Sequence, residues 1–321
     1  MMKVMAIDLM AAEKRARALL QSVSRSFYLS LRFVPGPVRG ALSLAYLLAR
    51  ATDTFADSGA LAPEARLAAL RAMRGTLAGE KQAREALDCG REAALAAGGV
   101  ADFSPGETAL LQRLDEVLAW HAAMPPAERS LIDEVLGIII GGQSDDITRT
   151  RTQNAEELES YTYQVAGCVG EFWTRLCALK LPGYALTPMD GLLASGRAFG
   201  QGLQLINVLR DVPKDARLGR SYLPGVGPEA APEEKWRAAQ PWLARCRECL
   251  GQGRAHAAGI RGIRSRFVIW LPLLLAEATL ELIEKAGPAA MAAPVKVPRA
   301  RMKGLLWRAW LLALRGRRNE D

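Results

Sequence analysis

Leu42-Ser-Leu-Ala-Tyr46-Leu-Leu-Ala-Arg50-Ala-Thr-Asp53-Thr-Phe-Ala-Asp57 decides the fold class. Leu42, Ala45, Tyr46, Ala49 and Asp53 follow the i, i+3, i+4 spacing of one helix face. The same spacing returns in Leu203, Ile206, Leu209 and Arg210. Continuous β-type alternation is hard to find anywhere. Breaks fall at Pro35-Gly36-Pro37, residues 59–63, Gly98-Gly99, Pro125-Pro126, Pro182-Gly183, Pro188, and residues 224–232 and 287–298. The segments between them are mostly of helix length. No shift in composition divides the chain. The expectation is an all-α protein, with residues 1–321 forming one domain of many helices.

Composition agrees. Of 321 residues, 50% are hydrophobic and 24% charged, enough for a large core and too apolar for disorder. Ala and Leu dominate, and both give up little side-chain entropy in a helix. Lys and Arg number 42 against 34 for Asp and Glu, a net charge of +8. That balance favours phosphates, nucleic acid or an acidic membrane face. Nucleic acid is set aside, because the basic residues are spread along the chain rather than gathered in one stripe with reading aromatics. The five cysteines fit a reducing cytosol better than a disulfide framework. Residues 1–12 carry Asp8 inside their apolar stretch with no cleavage-like site after it, so no signal peptide is expected. The longest apolar runs, 267–276 and 304–314, are broken by Pro272 and Arg308 and fall short of the roughly 18–20 residues of a bilayer span. The expected location is the cytoplasm, either free or peripheral on the inner face of the membrane.

The chemistry concentrates in two polar stripes. Tyr46, Arg50, Asp53 and Asp57 lie on one helix face, and so do Gln204, Asn207, Asp211 and Asp215. Their neighbours are apolar, so each stripe should face solvent or a polar cavity. Each ends in Asp-x-x-x-Asp. Two carboxylates one turn apart repel by on the order of a few tenths of a kcal/mol even when exposed. A hard divalent cation offsets that, since Mg²⁺ binds through one or two carboxylates and takes its other ligands from water and phosphate. Two such pairs facing each other across a cavity would hold several Mg²⁺ ions around a diphosphate.

At these residues the chain resembles the squalene/phytoene synthase family of head-to-head prenyl transferases, closest in type to bacterial squalene synthase, over nearly its whole length. Ser24-Arg-Ser26-Phe27 is similar to the family's diphosphate-contacting Ser-x-Ser-Phe. Tyr46-x-x-x-Arg50-x-x-Asp53-x-x-x-Asp57 resembles its first aspartate-rich helix, and Gln204-x-x-Asn207-x-x-Arg210-Asp211-x-x-x-Asp215, followed by Tyr222, its second. Asp146, in Gly141-Gly-Gln-Ser-Asp-Asp146, falls where members carry a further acid. Tyr161-Thr-Tyr-Gln-Val165-Ala-Gly-Cys-Val-Gly170 resembles the central helix, with Tyr161 close to the reacting carbons and small residues leaving room for a prenyl chain. The resemblance implies an isoprenoid-synthase-type helical bundle around a central cavity, working as a monomer on prenyl diphosphates. Mg²⁺, or Mn²⁺ in its place, would be held by Asp53, Asp57, Asn207, Asp211 and Asp215. Two farnesyl diphosphates would give presqualene diphosphate through an allylic carbocation, then squalene with NADPH. Phytoene or dehydrosqualene synthesis, or arrest at presqualene diphosphate, are the alternatives.

There are departures from the family pattern. Val23 stands where some members have histidine. Pro213 lies inside the second motif, where it should kink or end the helix and disturb Asp215. Glu277 occupies a place where carotenoid-making relatives tend to have an arginine, and Val295-Lys-Val-Pro-Arg299 loosely resembles a basic segment of squalene synthases; both tilt the reading toward squalene.

Other motifs read blandly. Gly225-x-Gly227-x-x-Ala230 lacks a preceding strand and is interrupted by a proline, so it is a loop rather than a dinucleotide fingerprint. Cys246-x-x-Cys249 has no second pair at ligand spacing. His121 and His256, the only histidines, have no nucleophile setting around them. Residues 299–321, with Trp307, Trp310, Leu305, Leu306, Leu311 and Leu312 beside Arg308 and Arg315, form either a basic amphipathic membrane-surface helix or a last helix packed on the core with a solvated tail.

Overall fold

The computed structural model describes residues 19–23, 31, 33–148 and 152–316, with no side-chain detail for 98–101. The described residues are overwhelmingly helical and form no sheet; their one isolated β-bridge joins Ala185 and Ile260. The chain forms two compact units, Met1–Thr148 and Arg149–Asp321.

In the first unit, α1 (Gly36–Asp57) is the core element. Pro37 lies in its first turn, where a missing N–H costs nothing. Leu44, Leu47, Leu48, Ala51 and Phe55 are fully buried. Each large side chain among them contributes about 1.5–3 kcal/mol relative to exposure. Against this helix packs α6 (Pro126–Thr148) through Ile132, Val135, Leu136, Ile139 and Ile140. A helical hairpin, α2 (Pro63–Leu77) and α3 (Lys81–Asp102), turns at Gly79, whose φ of 84° needs a residue without Cβ. The Glu80 N–H reaches back to the Gly75 carbonyl at 2.9 Å and closes that turn. Asp102 accepts from Ser58 Oγ at 2.6 Å and from the Gly59 N–H at 3.0 Å, tying the end of α1 to the end of α3. The unit also contains two short helices, α4 (Pro105–Gln112) and α5 (Leu114–Ala123), the first opened by a Ser104/Glu107 capping box.

The second unit is built on α9 (Met189–Arg217). Before it run α7 (Ala155–Thr162), a π-helical segment (Tyr163–Gly167) and α8 (Cys168–Lys180), nearly continuous with one another. After it come α10 (Pro232–Ala258), α11 (Ile263–Ala286), a 3₁₀ turn (Gly287–Met291) and α12 (Arg299–Arg315). Cys246 and Cys249 are buried in α10, with Cys246 Sγ 3.5 Å from the Gly202 carbonyl of α9. Among the described residues no helix is long and apolar enough to cross a membrane.

Two sequence expectations change here. Of the two outcomes expected at Pro213, a kink or an end, the end does not occur: the helix runs on to Arg217, and Pro241 and Pro272 likewise lie inside helices. Val208, Leu209, Val212 and Pro213 are all buried, so tertiary packing offsets the lost N–H. The small residues of the central helix also serve a different end. A Cβ on Gly170 would sit 1.9 Å from the Gly196 carbonyl oxygen, and one on Gly200 would sit 2.2 Å from the Ala166 oxygen. These glycines let two helix backbones touch, so the room they leave is filled by α9 rather than by a prenyl chain.

Gly170→Val should therefore unfold this crossing: overpacking against backbone costs at least about 1–3 kcal/mol. A calorimetric Tm equal to wild type would contradict the contact. His256 offers a second test. It is fully buried, with Nδ1 3.2 Å from the Leu192 carbonyl and 3.1 Å from Ser195 Oγ, and burial holds its pKa down at about 4. The unfolded chain takes up this proton below about pH 6.5 and the folded chain does so only near 4, so the protein should lose stability as pH falls through that window, by about 3 kcal/mol in all. Urea midpoints against pH should slope less for His256→Gln than for wild type.

Candidate active site

The first acidic stripe is presented by α1. Its apolar faces are buried, which turns Tyr46, Arg50, Asp53 and Asp57 the other way; the first three are partly buried and Asp57 is exposed. Arg50 donates through Nη2 to Glu107 Oε1 at 2.6 Å, and its Nη1 stands 4.0 Å from Asp53 Oδ2. Gln143, buried on α6, donates through Nε2 to Asp53 Oδ1 at 2.6 Å. Asp146 lies three residues further along α6, partly buried. Burial, and then the Asp57 carboxylate, push the Asp53 carboxyl up to about 6, against the pull of Arg50 and the Gln143 amide. Since 40% of the Asp53 side chain is open to solvent, the like charge is the firmer of the two causes.

Glu107 and Gln143 are the residues that sequence reasoning missed. Glu107 does two jobs: Oε2 accepts the Ser104 N–H at 2.8 Å as part of the capping box, and Oε1 holds Arg50. The Ser-x-x-Glu spelling signals the helix start and says nothing of Arg50. Gln143 stood inside the quoted Gly141–Asp146 stretch, where only the acid drew notice.

The second stripe lies on α9. Asn207 Nδ2 donates to Gln204 Oε1 at 3.3 Å, and Gln204 Nε2 donates to the Tyr161 hydroxyl at 3.3 Å. The Tyr161 ring stacks on Tyr222, centroids 4.8 Å apart and planes 24° apart. Four of the residues singled out from sequence thus form one connected group. The π-helical segment that follows α7 carries Val165, half-buried; such segments concentrate at functional sites. Asp211 accepts both arms of its neighbour Arg210, Nε to Oδ1 at 2.8 Å and Nη2 to Oδ2 at 2.6 Å. Asp215 and Tyr222 line one small cleft with Val208, Val212 and Lys235. Ser24, Ser26 and Phe27 lie outside the described residues.

Among the described residues no three His, Cys, Asp or Glu side chains converge as a metal cage. The donor set is two carboxylates one turn apart on each acidic helix. That suits a hard cation that keeps most of its water and takes phosphate oxygens, and the like-charge strain on Asp53 is what a cation relieves.

The family model described as Squalene/phytoene synthase matches residues 20–302. The bifunctional lycopene cyclase/phytoene synthase of Pyrenophora tritici-repentis is 31% identical over 212 residues, 64% of this chain; the match spans only 33% of that longer protein. The presqualene diphosphate synthase of Sinorhizobium fredii is 27% identical over 321 residues, covering 94% of this chain and 100% of that protein. Among solved structures, TcSQS with the ligand BPH1237 superposes with a TM-score of 0.78 at 20% identity, covering 95% of this chain and 89% of that one. At that identity the likeness shows the all-α fold alone.

The two neighbours of Asp53 act in opposite directions. Asp57→Asn removes a like charge and should lower the Asp53 pKa from about 6, whereas Gln143→Leu removes a donor to the carboxylate and should raise it. Carbon-13 NMR titration of the aspartate carboxyls reads both shifts, and a reversed sign for either would refute this account of the network.

Proposed function

The chain belongs to the squalene/phytoene synthase family, and on that premise we propose that it joins two farnesyl diphosphates head to head into presqualene diphosphate and then squalene. The family is one of prenyl transferases; the substrate length, the product and the residue roles below are our reading. The observation that carries it is the polar chain from Asn207 through Gln204 to the Tyr161 hydroxyl, with Tyr161 stacked on Tyr222. It gives a phenol whose hydroxyl and ring are both held in place, a suitable partner for a carbocation and for the proton that cation sheds.

Asp53, Asp57, Asp211 and Asp215, with Asn207, would hold Mg²⁺ or Mn²⁺, which when bound neutralises charge on a departing diphosphate. Arg50 adds a guanidinium donor for phosphate oxygens, steadied by Glu107 until substrate arrives. Ser24, Ser26 and Phe27 are assigned to the diphosphate, and Tyr46, Asp146 and Val165 to the substrate wall, by the resemblance of their motifs. Apolar helix faces keep water from the allylic cation. Both acidic helices are needed for one reaction, so we treat residues 1–321 as one catalytic domain.

A second reading is that the reaction stops at presqualene diphosphate, with no NADPH consumed. The end-to-end match to a presqualene diphosphate synthase favours it. The contrast drawn from Glu277 carries less weight than the sequence suggests, because Glu277 holds Arg254 of α10 at 2.6 Å and so brings a guanidinium to that place after all.

Incubation of purified protein and Mg²⁺ with farnesyl or geranylgeranyl diphosphate, each with and without NADPH, should yield presqualene diphosphate from the C15 substrate and squalene once NADPH is added. Phytoene from the C20 substrate alone would overturn the assignment of chain length. Asp53→Ala and Asp211→Ala should each lower turnover by at least about 100-fold, the usual scale for losing transition-state charge stabilisation, while the Tm stays near wild type. Full activity in either variant would remove the metal assignment.

A further inference from the structure

The last helix, α12, carries two apolar faces. Leu305, Ala309 and Ala313 turn inward and are buried. Trp310 stacks on Phe267 of α11, ring centroids 4.2 Å apart, and the buried Arg266 donates from Nε to the Ala313 carbonyl at 2.9 Å. That side holds the helix in the unit. On the other side Trp307, Leu311 and Leu314 are 68%, 40% and 47% exposed. They recur at i, i+4 and i+7 and make one outward stripe. Arg301, Arg308 and Arg315 recur every seventh residue and form an exposed row beside it, while Lys303 flanks the opposite edge. Arg301 is tied to Glu281 of α11 at 2.6 Å, whereas Arg308 and Arg315 make no ion pair among the described residues. Residues 286–319 contain no Asp or Glu.

Single exposed apolar side chains are ordinary, but a Trp and two Leu in line are a patch that has an occupant. The cations on both edges choose it. A second copy of this chain would set cations against cations, arginine row against arginine row in an antiparallel pair and against Lys303 in a parallel one. An anionic bilayer instead takes the indole and the leucines into its headgroup boundary while the guanidinium groups stay level with the phosphates. We propose that the Trp307–Leu311–Leu314 face of α12 docks this protein on an anionic phospholipid surface. The proposal goes beyond the catalytic reading and does not depend on it. It also replaces the sequence-level alternatives with a division of labour: Leu305 and Trp310 belong to the core face, and Trp307, Leu311 and Leu314 to the lipid face.

Flotation of the full chain with vesicles tests it. Vesicles of equal phosphatidylcholine and phosphatidylglycerol should carry at least about tenfold more protein than phosphatidylcholine alone, and about 1 M salt should release most of it. Joint substitution of Trp307→Ser, Leu311→Ser and Leu314→Ser should cut the bound fraction about tenfold while the Tm is kept. Arg308→Gln with Arg315→Gln, which leaves both apolar faces intact, should weaken binding to the anionic vesicles only. Wild-type protein left behind by the anionic vesicles, or equal flotation of the serine variant, would overturn the proposal. So would a lipid-free dimer in sedimentation that the serine variant dissolves, since the face would then belong to a second copy.

Discussion

Two carboxylates held one helical turn apart on α1 are the constraint around which the first unit is arranged. Asp53 and Asp57 raise each other's energy. The neighbours that relieve it come from the same helix and from afar: Arg50, one turn earlier on α1 and itself held by Glu107 of α4, and Gln143 from α6. Moving any of these helices loosens the acids. The core that fixes α1 against α6 is therefore also what fixes the charge geometry, and the packing of Leu44, Leu47, Leu48 and Phe55 reaches the chemistry through this link.

In the second unit the corresponding constraint is steric. The backbones of α8 and the π-helical segment press on α9 at Gly170, Gly196 and Gly200, leaving no space for a Cβ. Such a contact tolerates little sliding, because backbone atoms cannot repack as side chains do. It sets the register in which Gln204, one turn after Gly200 on α9, meets the Tyr161 hydroxyl. Hydrogen bonds of 3.3 Å hold little energy on their own, so the register comes from the glycines and the hydrogen bonds follow.

This division explains what could be read from the chain alone. Periodicity near 3.6 made the helices legible, and the acids, Gln204 and Asn207 stood out because they share helix faces, whereas Tyr161 stood out only through the resemblance of its motif. Partners from distant segments left no local trace: Glu107 lies 57 residues from Arg50, and Gln143 lies 90 from Asp53. Pro213 did not end its helix because a proline's cost is local while its compensation, burial on a long helix, is not. The glycines of the central helix misled differently. Small size announces close approach but not what approaches, and here it is another backbone.

The two acid pairs start from opposite electrostatics. Asp53 faces a like charge one turn on, with the nearest Arg50 nitrogen at 4.0 Å and that guanidinium already engaged by Glu107. Asp211 faces a cation, with both of its oxygens bonded to Arg210. Asp53 and Asp57 would be relieved of repulsion by a divalent ion, whereas Asp211 would have to share one with its bidentate guanidinium or give that guanidinium up. If both pairs take metal in one reaction, as proposed, the first is the natural point of entry. The second gains most when an incoming diphosphate offers Arg210 an alternative partner. On that reading substrate binding and the second metal would favour each other, because phosphate oxygens would draw the guanidinium away from the carboxylate that a cation would need.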